Sequence, residues 1–367
     1  MTSPVPAVTS LVEETAGVVG RARQAAGNLT DYLLHGHLAD VERMPRETVV
    51  EGVGWQLHRY GPTAATVSGA PVLLVPPLGA PDFAFDLRRG ASLVEFLLER
   101  GRDVWIVTYA ASFWHGHRRG LETWVDTVVP AAARAVADAT DHDVHLVGWS
   151  LGGLFVLLAD AAAEGAGTPL PVASLAAFAS PVDLAAVPMV APFRSVAEYT
   201  GGRVFTAAYR TLGSFPAAAV RLAFQLVSVE RYVTKPVTVL THLDDRELLE
   251  QIEAVDLLME NMTAYPGRAF GQIYHQVIRS NDLAGDRLEL AGRPVRLADV
   301  TAPVLLVAGA DDIIAPQRAV ARGAELLTAS SDRRCVVAPG GHLGVLTGRR
   351  ARTHAWRALA DFLTDHD

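Results

Sequence analysis

Ser150 stands in the run Val144-His145-Leu146-Val147-Gly148-Trp149-Ser150-Leu151-Gly152-Gly153. This is a Gly-x-Ser-x-Gly turn, entered by an apolar stretch and left by a second one, Leu154 to Leu158. A serine raised on a sharp turn between a strand and a helix can act as a nucleophile. It needs small neighbours, because a side chain at Gly148 or Gly152 would collide with the adjoining strand and helix. The helix that follows offers its first backbone N–H groups, so the Leu151 N–H can face an oxyanion formed beside Ser150. An ordinary glycine turn is the bland reading of these five residues, and the strand before and helix after favour the nucleophile.

Two further residues would complete that chemistry. Gly309-Ala310-Asp311-Asp312-Ile313-Ile314-Ala315-Pro316 follows an apolar run and sets a carboxylate just before a helix. Either aspartate could cap that helix, and the glycine-to-proline frame favours Asp312 over Asp311 as the acid. Pro339-Gly340-Gly341-His342-Leu343-Gly344 places His342 on a glycine-flanked loop. His342 would take the proton of Ser150, Asp312 would hold the imidazole tautomer, and an acyl-enzyme would form. A second oxyanion donor is expected from Pro76-Pro77-Leu78, where the prolines have no N–H and Leu78 is the first donor available.

Such residues must be carried on strand ends. Strands are expected over Pro71 to Val75, Asp103 to Tyr109, the run before Ser150, Ala173 to Phe178, Pro303 to Val307 and Arg333 to Ala338. Between them fall helical stretches, Arg89 to Arg100, Leu121 to Ala139, Ala315 to Thr328 and His354 to Leu363. The alternation implies an α/β fold with a mainly parallel sheet covered by helices on both faces, and function at the carboxyl ends of its strands. The order Ser150, Asp312, His342, each after a strand, resembles the nucleophile-acid-base order of the α/β-hydrolase fold.

Glu47 to Tyr60 alternates like two short strands broken at Gly52 and Gly54. From Leu184 to Leu290 the pattern changes to long helical segments, Phe215 to Val229, Arg246 to Met262 and Ala269 to Arg279. The expected division is an N-terminal helical extension at 1–40, an α/β-hydrolase core at 41–183 and 291–367, and a helical cap at 184–290. Most apolar cap residues are expected in the core and a minority along an acyl-sized pocket. Leu11, Val18, Val19, Leu29 and Leu33 lie at helical spacing in the extension, where packing is favoured over a membrane- or partner-facing role.

Composition narrows the class. Half of the 367 residues are hydrophobic and a fifth are charged, as in globular chains. The net charge of -8 argues against nucleic acid or an anionic membrane as the main partner. The one cysteine, Cys335, excludes an intramolecular disulfide framework and reads as a buried strand thiol. Glu13 and Glu14 interrupt the amino-terminal stretch, so no secretory leader is expected. Pro181, Asp183, Pro188 and Pro192 break the best candidate for a membrane span, and a cytoplasmic protein is the default. His115 and His117 lack companion ligands and read as a surface loop rather than a metal site. Asp183, after a strand, reads as a turn or cap rather than an alternative acid. No cofactor or metal is implied.

The chain is similar to the polyhydroxyalkanoate synthases, and most to the class III catalytic subunit, from about residue 40 onward. The resemblance is carried by Pro76-Pro77, Asp86-Leu87-Arg88, Ser92-Leu93-Val94 and Leu97-Leu98 in the core. It continues through Leu243-Asp244-Asp245-Arg246-Glu247, Tyr265-Pro266-Gly267, the run Leu288 to Leu297, and Val300 to Leu305. It implies the triad Ser150, Asp312 and His342. Two departures matter: the synthases have cysteine where this chain has Ser150, and usually histidine where it has Ile313. A thiol accepts an acyl group from a CoA thioester as a near-neutral exchange, whereas an acylated serine is an oxygen ester whose transfer resembles lipase chemistry. The expected function is thus an ester hydrolase or acyltransferase on a synthase-like scaffold, acting on hydrophobic acyl esters, lipids or polyhydroxyalkanoate. Polymerisation of 3-hydroxyacyl-CoA is the alternative, and a non-catalytic subunit that binds a partner or polymer granule is a third. Expected partners are the acyl ester or acyl-CoA, and peripheral lipid or granule contact. The oligomeric state is open, a homodimer included, as is any second subunit of the kind class III synthases use.

Overall fold

Eight strands hydrogen-bond into one sheet. They are β1 (Arg46–Gly52), β2 (Trp55–Tyr60), β3 (Val72–Val75), β4 (Val104–Tyr109), β5 (Val144–Trp149), β6 (Val172–Phe178), β7 (Val304–Gly309) and β8 (Arg333–Ala338). This computed structural model describes residues 5–61, 67–110, 119–190, 213–227 and 229–367. His115 and His117 lie outside the described residues, as does the 191–212 part of the expected cap.

The order across the sheet is β1-β2-β4-β3-β5-β6-β7-β8. Strands β3 to β8 pair in parallel, and the β1–β2 hairpin joins β4 antiparallel. Every residue of β3, β5 and β7 is buried, as expected of parallel strands covered on both faces. The chain leaves β3 for β4 on one side and returns to β5 on the other. The loops after β3 and β5 therefore diverge and leave a crevice at their carboxyl ends.

Helices α1 (Val5–His35), α2 (Leu93–Glu99), α3 (Val129–Thr140) and α4 (Leu151–Gly165) precede or connect these strands. The α2 helix starts later than the expected Arg89. The buried Asp86 carboxylate accepts from the Ser92 hydroxyl at 2.6 Å and from Arg89, holding 86–92 as a separate turn. Ser92 in turn caps α2 by accepting from the Glu95 N–H. The α3 helix is preceded by a π-helical stretch, Thr123–Val128.

Between β6 and β7 lie α5 (Ala217–Val227), α6 (Val229–Thr241), α7 (Arg246–Glu260) and α8 (Gly267–Gln272), the last running into a π-helical stretch at Ile273–Arg279. The helix expected over Phe215 to Val229 is α5, and α6 is a further helix that passes through Pro236, a residue that ordinarily interrupts a helix. The α7 helix is fastened to the rest of the protein by charge-assisted bonds. Asp245 caps it at the Leu248 N–H and pairs with Arg349. The buried Arg88 donates to Gln251 at 3.2 Å and Glu250 at 3.4 Å. Glu253 accepts from the N–H groups of Leu38 and Ala39. Helices α9 (Gln317–Leu326), α10 (Gly344–Thr347) and α11 (Ala355–Asp365) complete the chain.

Two expectations are corrected. Cys335 is exposed rather than buried. Strand β8 ends the sheet with β7 as its one neighbour, so alternate residues, Cys335 and Val337 among them, face outward. In α1, Val18, Val19, Leu29 and Leu33 do not pack but lie exposed, Leu33 by 74%. The helix is held instead by polar bonds, Asn28 to the Leu243 carbonyl and Asp31 with Arg246. Among the described residues no helix is long and apolar enough to cross a membrane.

On the inner face of α4, Asp160 is buried with one carboxylate oxygen lacking a hydrogen-bond partner. Burial, reinforced by Glu164, pushes its carboxyl up to about 7. A raised carboxyl pKa means the folded state keeps a proton that the unfolded chain loses near the ordinary value of 3.8, so stability falls as pH rises from there through about 7. Asp160→Asn removes that cost. Thermal melts should show the variant more stable than the parent by roughly 2–4 kcal/mol at pH 8 and the difference shrinking toward pH 5. A variant equally displaced at both pH values would contradict this assignment.

Candidate active site

Strand β5 delivers Ser150 into a turn that few residues tolerate. Its backbone has φ 55° and ψ −121°, a strained conformation for a residue with a Cβ. The strain is held from both sides. The Ser150 N–H donates to the Phe178 carbonyl at 2.8 Å, and its carbonyl accepts from the Gly153 N–H at 3.1 Å and the Ser180 hydroxyl at 2.8 Å. Serine at the head of a helix usually caps it, but the Ser150 side chain makes no such bond. It lies instead 3.0 Å from Nε2 of His342.

The glycines do what their spacing suggests. A Cβ on Gly148 would lie 2.3 Å from the backbone of Gly152, and one on Gly152 would lie 2.1 Å from the Val75 carbonyl oxygen. The first turn of α4 is thereby pressed against the end of β3. This brings Leu151, the first residue of α4, and the Pro76-Pro77-Leu78 loop to the same crevice. The loop is braced by the Tyr109 hydroxyl, which donates to the Pro76 carbonyl at 3.1 Å. Gly79, at φ +84°, accepts from the Thr263 N–H at 3.0 Å, and Tyr265 lies so close that a Cβ on Gly79 would meet its ring at 2.6 Å. Segment 263–265 thus lies directly over the loop that carries Leu78.

Asp312 and His342 arrive from the ends of β7 and β8. Asp312 Oδ2 lies 3.0 Å from His342 Nδ1, while Oδ1 accepts from the N–H groups of Ile314 and Ala315 at 2.8 Å each. The carboxylate therefore both caps its own turn and orients the imidazole. An ionised carboxylate can only accept, so Nδ1 carries the hydrogen and Nε2 is left as the acceptor toward Ser150. Asp312 and His342 are buried, while Asp311 is exposed. The Trp149 indole N–H donates to the His342 carbonyl at 3.0 Å, tying the histidine loop to the nucleophile turn. Asp183 caps a short turn at the Ala185 N–H and accepts from Asn281, away from this constellation.

Ser180, Tyr109, Trp149 and Tyr265 escape sequence reasoning. Trp149 fills a variable position of the Gly-x-Ser-x-Gly turn, the other three belong to no motif with a chemical signature, and of these only Tyr265 stands in a stretch that carries the resemblance to the synthases. A second Ser–His–Asp contact exists at the opposite end of β5. His145 Nδ1 lies 2.8 Å from Ser174 Oγ and Nε2 3.3 Å from Asp367 Oδ1, with His145 and Ser174 fully buried. Burial pushes His145 down to about 4, so it stays neutral there. Among the described residues no group of three potential metal ligands is found.

Residues 125–349 match the family model described as alpha/beta hydrolase fold. The chain is 24% identical to the poly(3-hydroxyalkanoate) polymerase subunit PhaC of Haloferax mediterranei, over 89% of this chain and 65% of that protein. It is 23% identical to the PhaC subunit of Allochromatium vinosum, over 92% of this chain and 94% of that one. Among solved structures, the alpha/beta hydrolase GrgF of a Penicillium species superimposes with a TM-score of 0.52 at 16% identity, over 88% of this chain and 99% of that chain. That likeness concerns the fold alone.

The turn geometry makes a direct prediction. Gly152→Ala should lower stability by about 3 kcal/mol or more, seen as a shifted urea midpoint, and abolish labelling by a fluorophosphonate at Ser150. Gly344, whose added Cβ meets nothing within 4 Å, should accept alanine with little change. Equal behaviour of the two variants would refute the packing argument.

Proposed function

The chain belongs to the alpha/beta hydrolase fold family, and on that premise we propose that it is a serine-dependent ester hydrolase or acyltransferase acting on hydrophobic acyl esters. The observation that carries this reading is the line of contacts from Asp312 through His342 to Ser150 Oγ, each of 3.0 Å. Nε2 takes the hydroxyl proton as Oγ attacks the substrate carbonyl carbon. The N–H groups of Leu78 and Leu151 receive the charge on the carbonyl oxygen. Collapse expels the alcohol, which leaves with the proton held on Nε2, and an acyl-Ser150 ester remains. Water or a second alcohol, deprotonated by the same imidazole, then releases the acyl group. In this scheme 184–290 acts as a cap and 41–183 with 291–367 as the catalytic core. Peripheral contact with lipid or a polymer granule would bring such substrates to it.

A second reading is favoured by the polymerase subunits to which the chain is similar over most of its length. There Ser150 would accept a 3-hydroxyacyl group from a CoA thioester, with release of the thiol, and pass it to the hydroxyl of a growing chain. This reading puts the protein in the cytoplasm with its acyl donor. Ester chemistry on an acyl-serine is common to both, and the acceptor distinguishes them.

Purified protein incubated with a p-nitrophenyl ester series and, in parallel, with 3-hydroxybutyryl-CoA separates the readings. Ester cleavage without polymer is the expected result, lost by about 10⁴-fold or more in Ser150→Ala. Hydrolysis that survives this substitution would remove Ser150 from the mechanism. Polymer with CoA release would establish the second reading. Ser150→Cys should shift the balance toward thioester donors, because a thiolate exchanges with a thioester at little cost.

A further inference from the structure

The chain has a single lysine, Lys235, among 32 basic residues. It lines a cavity of about 670 Å³ that also reaches the catalytic histidine and its acid. One wall is Trp149, Asp312 and His342, and the opposite one is built by α5, α6 and α7. The α5 and α7 side chains are largely apolar, with Phe224, Ile252, Val255 and Met259 among them. The polar exception is a cluster in which Lys235 of α6 pairs with Asp256 of α7, beside Thr238.

The charges define what can sit against this cluster. The cavity is lined by three carboxylates, Asp256, Asp311 and Asp312, against the one ammonium of Lys235. An anionic end group would have to displace Asp256 from Lys235 and enter among like charges. A bare alkyl end would take water from the ion pair and return no hydrogen bond. A neutral hydroxyl suits both partners, since it accepts from the ammonium and donates to the carboxylate. We propose that Lys235 and Asp256 are specificity-determining residues that bind a hydroxyl on an otherwise aliphatic substrate chain lying in this cavity. The assignment rests on the esterase reading for its link to turnover, and on the cavity's own chemistry for its link to binding.

The single lysine makes the test specific. Ser150→Ala binds without turnover, and acetylation of the Lys235 amine can be followed by peptide mass spectrometry with no other side-chain amine in the protein. Three probes share one chain length: ethyl ω-hydroxyoctanoate, ethyl octanoate and monoethyl octanedioate. The hydroxy ester should slow acetylation several-fold more than either of the others. In the active protein, Lys235→Met and Asp256→Asn should each reduce the kcat/KM preference for the hydroxy ester over the plain ester by about tenfold, the ratio that one hydrogen bond to a charged group commands. Equal shielding by all three probes, no shielding, strongest shielding by the anionic ester, or an unchanged preference in both variants would overturn the assignment. If no ester is turned over while the hydroxy ester still shields Lys235, the esterase reading fails and the cavity assignment stands.

Discussion

The structure depends on a backbone contact that leaves no room for a side chain. Where β5 becomes α4, the chain reverses so tightly that the Gly148 and Gly152 backbones meet and the first turn of the helix rests on the Val75 carbonyl. Three consequences follow from that one approach. Ser150 is forced to a positive φ and its hydroxyl points away from its own helix. The start of α4, with its unpaired N–H groups, is set beside the loop that leaves β3. The strain, of order 1–3 kcal/mol for a residue held in such a region, is met by bonds from Phe178, Gly153 and Ser180.

Around this fixed point the remaining parts are joined by loops rather than by the sheet. Trp149 secures the histidine loop, Asp312 folds its own turn while holding the imidazole, and Tyr109 secures the Pro76 carbonyl. Many of the residues shared with the synthases serve a different purpose. Arg88 and Asp245 bind α7 to the body of the protein, Asp86 holds the 86–92 turn that presents Arg88, and Tyr265 presses on Gly79. The pattern that marks the likeness is thus largely one of attachment, and it places the α7 wall of the cavity above the strand ends. A cavity wall held by buried charge-assisted bonds keeps its shape more firmly than one held by apolar contact alone.

Much of this was legible in the amino-acid order, for a physical reason. Parallel strands buried on both faces must be continuous apolar runs, so β3, β5 and β7 stand out, and the three site residues follow strands directly. The close glycine approaches were likewise implied by the Gly-x-Ser-x-Gly spacing. What was not legible depends on position in the sheet or on partners far along the chain. Cys335 has the neighbours of a buried residue, and being on the edge strand is a property of topology. The late start of α2 requires knowing that Asp86 and Ser92 bond each other. The exposed apolar face of α1 shows that helical spacing reveals a stripe and not what covers it. Ser180 and Tyr109 act through hydrogen bonds to distant backbone carbonyls that no local pattern encodes.

A serine, a histidine and an aspartate are in contact near each of the two ends of β5, and the two sets are alike by composition and nearly alike by distance. At the lower end the ring is turned round, with Nδ1 toward Ser174, and the serine sits in a regular strand sealed from solvent. Any recognition scheme that matches residue types and separations would return two answers from this one strand. The discriminating information is topographic: a reactive hydroxyl needs an approach path, a strained pedestal and amide hydrogens waiting where charge will appear. On the proposed reading of Ser150, the buried set at His145 is an internal control for what distinguishes a reactive arrangement of three ordinary side chains from an inert one.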